Sequence, residues 1–136
     1  MSRQDPVLRR RLVLRLQLPL GPQLSHEIAA IEPVVSLARE WHGRKPLAVA
    51  SGGHRRIVLN TLGALGIVEL FDTIVTSEDY SRGKPHPDPF LEAACRLDVA
   101  PGRCLVFEDT TTGIQAATAA GMASVLVPHP QRAVNR

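Results

Sequence analysis

The 136 residues amount to about one domain, with 44% apolar, 21% charged and only 4% aromatic residues, a balance ordinary for a globular protein whose core rests on Leu, Val, Ile and Ala. The net charge of +3 is uneven, because residues 1–16 hold five Arg against Asp5 alone while the other 120 carry 11 basic and 12 acidic side chains. The basic arm comes with no recognition motif or aromatic platform, and no apolar run reaches the roughly 18 residues of a membrane span, so nucleic-acid and membrane partners are not expected.

Residues 1–30 form a basic, atypical arm rich in Arg, Leu, Gln and Pro, expected to be a remnant of a preceding segment or a misassigned leader, and the prolines at 19 and 22 break regular structure there. Arg9-Arg10-Arg11 before Leu12-Val13-Leu14 has the outline of an export signal, but Arg15 and Gln17 interrupt the apolar stretch and a cytoplasmic protein is expected. From residue 31 to residue 127 helices and strands alternate, and 128–136 is a tail. Pro33 suits the first position of a helix carrying Val34, Leu37, Ala38 and Trp41 at helical spacing. Residues 47–50 read as a short buried strand. Residues 54–65 read as a helix with Ile57, Val58, Leu62 and Leu65 inward and Gly66 as its stop. A strand at 73–76, a helix at 88–97 with Phe90, Leu91, Ala94 and Leu97 on one side, a strand at 104–107, a helix at 112–120 and a strand at 124–127 follow. This βαβα order with near-continuous apolar strands predicts an α/β fold, a parallel sheet with helices on both faces. Cys95 and Cys104 have no metal-like spacing and read as buried thiols in a reducing compartment.

Chemistry-bearing residues gather at strand ends. Ser51-Gly52-Gly53 lies between a strand end and a helix start, where a hydroxyl and backbone N–H groups can receive an anion, although a plain turn uses the same residues. Lys84 stands in Gly83-Lys84-Pro85-His86-Pro87, a loop whose prolines limit where the ammonium can point. A cation held in this way can neutralise a phosphate, whereas a lone loop lysine is ordinarily just solvated. Glu108 and Asp109 adjoin at the end of an apolar strand. Two neighbouring carboxylates repel unless a cation sits beside them; the alternative is an acidic loop in which Asp109 or a following Thr caps the helix. His54 and His86 read as exposed residues outside any metal-spaced cluster.

Taken in order, these motifs resemble the haloacid dehalogenase superfamily of phosphohydrolases, in its β-phosphoglucomutase-like, fructose-1-phosphate-phosphatase-like branch, over residues 30–127. The resemblance implies a Rossmann-like core and a Mg2+-dependent phosphoric monoester hydrolase acting on a small phosphorylated metabolite, a sugar phosphate. It implies that Ser51 and the Gly52 N–H hold the transferring phosphoryl group and that Lys84 neutralises it. Asp109 would ligate Mg2+ directly, Glu108 directly or through water, and residues 110–113 would shape the turn.

The family's first motif, an Asp-x-Asp supplying nucleophile and acid/base, does not occur among Asp5, Asp72, Asp79, Asp88, Asp98 and Asp109. A core truncated at its N-terminus, lacking the first motif and most of the cap, and inactive alone is therefore expected. A non-catalytic phosphate- or sugar-phosphate-binding paralogue and a phosphosugar mutase fragment are the alternatives. The missing motif also removes the central strand. Residues 11–18 could slide into that slot and carry Arg15 and Gln17 toward the phosphate, but their alternation suits a half-exposed strand, and a leader outside the fold is the expectation.

Overall fold

The structure is a computed structural model and describes residues 11–14 and 24–127, with side chains from Pro33 onward in the latter. The strands are β1 (Arg11–Leu14), β2 (Ala48–Ala50), β3 (Thr73–Val75), β4 (Cys104–Glu108) and β5 (Ala123–Leu126). The helices are α1 (Leu24–Trp41), α2 (Arg55–Leu65), α3 (Asp88–Leu97) and α4 (Thr111–Ala119), with short 3-10 turns at Val68–Leu70, Ser77–Asp79 and Pro101–Arg103. The strands form one parallel sheet in the order β3-β2-β1-β4-β5. The chain therefore builds outward from β1 on one side and then on the other, so β1 marks the switch point of a doubly wound α/β fold.

The leader expectation for residues 11–18 is corrected over 11–14. Arg11, Leu12, Val13 and Leu14 pair with Cys104, Leu105, Val106 and Phe107, and Leu14 also pairs with Val49. The physical reason lies in the neighbours. β2 is buried throughout and β4 nearly so, and each would present a bare ladder of N–H and C=O groups if the slot were empty. Arg15 and Gln17 lie outside the described residues. A second difference is the length of α1, which begins at Leu24 and takes Pro33 into its interior. A proline forfeits one backbone hydrogen bond and crowds the preceding turn, but it does not forbid helix upstream. Both elements contribute residues to the fold from within the 1–30 segment expected as an arm.

Alternation along the strands divides the core between two faces. Leu47, Val49, Ile74 and Leu105 join Val34, Val35 and Ala38 of α1 and Val58 and Leu62 of α2. On the opposite face Ala48, Ala50, Val75, Cys104 and Val106 meet Phe90, Ala93 and Ala94 of α3 and Ala116 and Ala117 of α4. Both faces are covered, as near-continuous apolar strands require. The helix stripes keep the expected phase at Val58, Leu62, Phe90 and Ala94 but are narrower than expected. Ile57 is 43% and Leu91 40% exposed, because the inward rows run through Val58 and Leu62 and through Phe90, Ala93 and Ala94. Cys95 is likewise exposed, contrary to the expected buried thiol, while Cys104 is buried. Cys95 follows Ala94 by one residue, about 100° around the helix from the buried row.

The free edge of β3 is covered by side chains. Arg55 and Arg96 each donate from Nη1 to the Ile74 carbonyl at 3.3 Å. Asp79 joins them, 2.9 Å from Arg96 Nη2 and 3.7 Å from Arg55 Nη1. Burial raises the Asp79 pKa, but the Thr76 backbone N–H and the Arg96 guanidinium together outweigh it and hold the carboxyl below its ordinary range.

Candidate active site

Because the sheet is parallel, Ser51 after β2, the Ser77–Asp79 turn after β3 and Glu108 at the end of β4 leave it from the same end. In doubly wound folds this end, at the switch point, forms the ligand crevice. The side chains singled out in the sequence lie in three loops here.

Ser51 is 6% exposed and extends the ladder, its N–H donating to Val75 O at 2.9 Å. Its Oγ accepts from Gly53 N at 3.1 Å, which leaves the hydroxyl proton for another acceptor. Gly52 beside it is exposed. The helix end behind this turn is partly satisfied from within the protein. Glu78 Oε1 accepts from Arg55 N at 3.3 Å and lies 3.8 Å from His54 Nδ1. The start of α2 is thus partly occupied by Glu78, while the Ser51 hydroxyl keeps its proton for a further acceptor. His54 and His86 are exposed, as expected.

Lys84 is half-buried in a loop anchored at both ends, and its bond to Pro85 is cis. On one side Asp88 accepts from Arg82 N at 3.2 Å and from Arg82 Nη2 at 3.3 Å. Desolvation raises the Asp88 pKa, and the bonds and charge of Arg82 turn the balance to below the ordinary value. On the other side Phe90, fully buried, fixes the first turn of α3 in the core.

Glu108 is 1% exposed. Its Oε1 accepts from Asp109 N at 3.1 Å, Thr110 N at 3.1 Å and Thr110 Oγ1 at 2.8 Å. A Cβ on Gly113 would overlap the Glu108 carboxyl, so only glycine fits that position of α4. Asp109 is partly exposed. Thr110 caps α4, its Oγ1 accepting from Gly113 N at 3.0 Å.

Two side chains tie the loops together. Tyr80 donates its hydroxyl to Ser51 O at 3.0 Å, and a Cβ at Gly83 would stand 4.0 Å from its ring. Lys84 Nζ donates to Thr110 Oγ1 at 3.3 Å. The Ser51 turn is thus joined to the Lys84 loop, and that loop to the Glu108-Asp109 turn. The role of Tyr80 escaped the sequence reading. The available signal was its being the only tyrosine of the chain, between a strand and Gly83-Lys84-Pro85.

Among the described residues no three His, Cys, Asp or Glu side chains gather as a metal cluster. Mg2+ needs fewer protein ligands, since it is bound by one or two carboxylates together with phosphate oxygens and water. The donor set fits that mode. Asp109 is the more accessible of the two carboxylates, and Glu108 is buried with Oε1 committed to three donors.

The chain is a doubly wound α/β core with a hydroxyl, an ammonium and paired carboxylates in the loops at the carboxyl ends of its strands. The profile of the haloacid dehalogenase-like hydrolases matches residues 23–127, and the chain belongs to that family. It is 45% identical over 93 residues to the fructose-1-phosphate phosphatase YqaB of Escherichia coli (strain K12), covering 68% of this chain and 50% of that protein. It is 31% identical over 130 residues to hexitol phosphatase B of the same organism, covering 96% of this chain and 56% of the other. Among solved structures, β-phosphoglucomutase from Clostridium difficile superposes with a TM-score of 0.62 at 32% identity, covering 71% of this chain and 42% of that one. The chain spans about half the length of the curated relatives it matches.

Proposed function

We propose that this chain carries the phosphate- and Mg2+-binding half of a phosphoric monoester hydrolase acting on a small phosphate ester of the sugar-phosphate class. Ser51 and the Gly52 N–H hold the phosphoryl oxygens, Lys84 neutralises them, and Asp109, with Glu108 behind it, holds the metal. Mg2+, when bound, withdraws charge from the phosphoryl group. The chain's own residues bind and orient the ester: the Ser51 hydroxyl donates from one side and the Lys84 ammonium from another. The Lys84 Nζ–Thr110 Oγ1 contact carries this proposal, because it brings the cation of one loop to the turn that bears the carboxylates of another. The phosphatases among the relatives supply the substrate class, and the free thiols of Cys95 and Cys104 suit a cytoplasmic protein.

The 136 residues contain no Asp-x-Asp, and residues 11–18, which include the central strand β1, contain no acid at all. That observation favours phosphate binding without turnover by this chain. Phosphate affinity and Mg2+-dependent hydrolysis of p-nitrophenyl phosphate, measured on the same sample, test the proposal. Millimolar or tighter phosphate binding weakened by Lys84→Ala supports it, and the absence of phosphate binding overturns it. Turnover abolished by Asp109→Ala shows that the chain supplies its own catalytic route.

A further inference from the structure

The Lys84 ammonium sits among groups of fixed hydrogen-bond direction, and Thr110 is the group they share. Thr110 Oγ1 has one proton and two lone pairs. Gly113 N at 3.0 Å and Lys84 Nζ at 3.3 Å both donate to it, and the exposed Thr112 hydroxyl donates at a longer 3.4 Å. The proton is therefore directed to the remaining partner, Glu108 Oε1 at 2.8 Å. That oxygen also accepts from the N–H groups of Asp109 and Thr110, and the carboxyl is confined by the absence of a side chain at Gly113. With donors on its oxygen and Glu108 Oε1 as the acceptor of its proton, the hydroxyl gives up its shortest bond if it rotates.

We infer that Thr110 is a positioning residue for phosphate binding: its oriented hydroxyl fixes where the Lys84 ammonium stands relative to the Glu108-Asp109 turn. The inference rests on the proposed phosphate site. It adds that a neutral side chain, neither ligand nor charge, governs the cation's contribution. An ammonium on a flexible four-carbon stem loses more affinity when untethered than a planar guanidinium does. Thr110 supplies one tether between the Lys84 ammonium and the Glu108 carboxyl, beside the other contacts that each of them makes.

The test separates tethering from helix capping, which Thr110 also performs. Binding of inorganic phosphate with Mg2+ is measured for the 136-residue chain and for Thr110→Val, Thr110→Ser, Lys84→Ala and the double variant Lys84→Ala/Thr110→Val. Loss of a charge-assisted hydrogen bond predicts that Thr110→Val weakens phosphate binding roughly tenfold, with the affinity restored in Thr110→Ser. In the Lys84→Ala background the same valine changes affinity by less than about twofold, because its effect passes through the lysine. A cap alone would lower thermal stability in both backgrounds and would not show that coupling. The 15N resonance of Lys84 Nζ is the second readout, observed without ligand. Its slowed hydrogen exchange is lost in Thr110→Val and kept in Thr110→Ser.

Equal phosphate affinities for wild type and Thr110→Val, with Lys84→Ala weakened, overturn the role of Thr110 and leave the phosphate site standing. If the wild type binds no phosphate, the proposed site falls. The Nζ resonance then decides the tether, and an unchanged resonance in Thr110→Val ends it.

Discussion

Gly113 makes room for the Glu108 carboxyl: a Cβ at residue 113 would occupy the space that the carboxyl fills. Helix α4 can therefore start directly beneath the end of β4, with the acid folded back against the helix. Gly113→Ala displaces a buried, triply hydrogen-bonded group, and overpacking of this kind is expected to destabilise the chain by about 2–3 kcal/mol in urea unfolding. Truncating the acid relieves the clash. In a Glu108→Ala background Gly113→Ala should cost nothing and stabilise by up to about 1 kcal/mol, the intrinsic effect of a Gly-to-Ala change in a helix. Equal losses in both backgrounds contradict the packing described.

β1 is the central strand, paired on both sides. Val13→Pro removes a ladder donor there and introduces a ring between two neighbours, with an expected loss of at least about 3 kcal/mol and a drop in soluble yield. Val125 on the outer strand β5 is 40% exposed, and Val125→Thr should change stability by less than about 0.5 kcal/mol. If Val13→Pro were as mild, residues 11–14 would not lie inside the sheet.

The two thiols should differ in reactivity. Burial pushes the Cys104 thiol above its ordinary range, while Cys95 is exposed. At pH 8 a thiol reagent is expected to modify Cys95 within the mixing time and Cys104 only as the chain unfolds. Because the folded state binds the Cys104 proton more tightly, this thiol's contribution to stability is full below the unfolded thiol's pKa. It is lost as pH rises through the folded value. Simultaneous modification of both cysteines contradicts this.

Asp79 acts in the opposite direction. Its folded pKa is lowered from 3.8, so its contribution is present above that value and declines as pH falls through the folded pKa. Asp79→Asn should destabilise the chain by about 1–2 kcal/mol at pH 7, and by less at pH 3. A penalty that stays constant with pH contradicts the ion pairing at the β3 edge.

The order of elements from residue 47 to residue 126 could be read from the sequence, because short apolar runs alternate with helical periodicity and Gly66 marks a helix end. Ser51, Lys84, Glu108 and Asp109 could be singled out because their motifs follow one another in the order of a known family, although each alone also suits a plain turn, a solvated loop or a helix cap. What escaped depends on contacts between distant segments. Residues 11–14 read as a leader because their alternation suits a half-exposed strand, and only the needs of β2 and β4 place them at the centre. Ile57, Leu91 and Cys95 are exposed because each stands one residue, about 100° of helix, from a buried position (Val58, Phe90 and Ala94), and apolar character alone does not mark the edge of a stripe. Tyr80 and the hydroxyl of Thr110 act across 29 and 26 residues of sequence, a separation that no local pattern encodes.

The most direct measurement of the central claim is an amide NMR titration of the 136-residue chain with inorganic phosphate in the presence of Mg2+. The resonances of Ser51, Gly52, Lys84, Asp109 and Thr110 are expected to shift together along one isotherm and to stop shifting in Lys84→Ala. Shifts confined to a single loop, or separate isotherms for the three loops, would contradict a shared phosphate site.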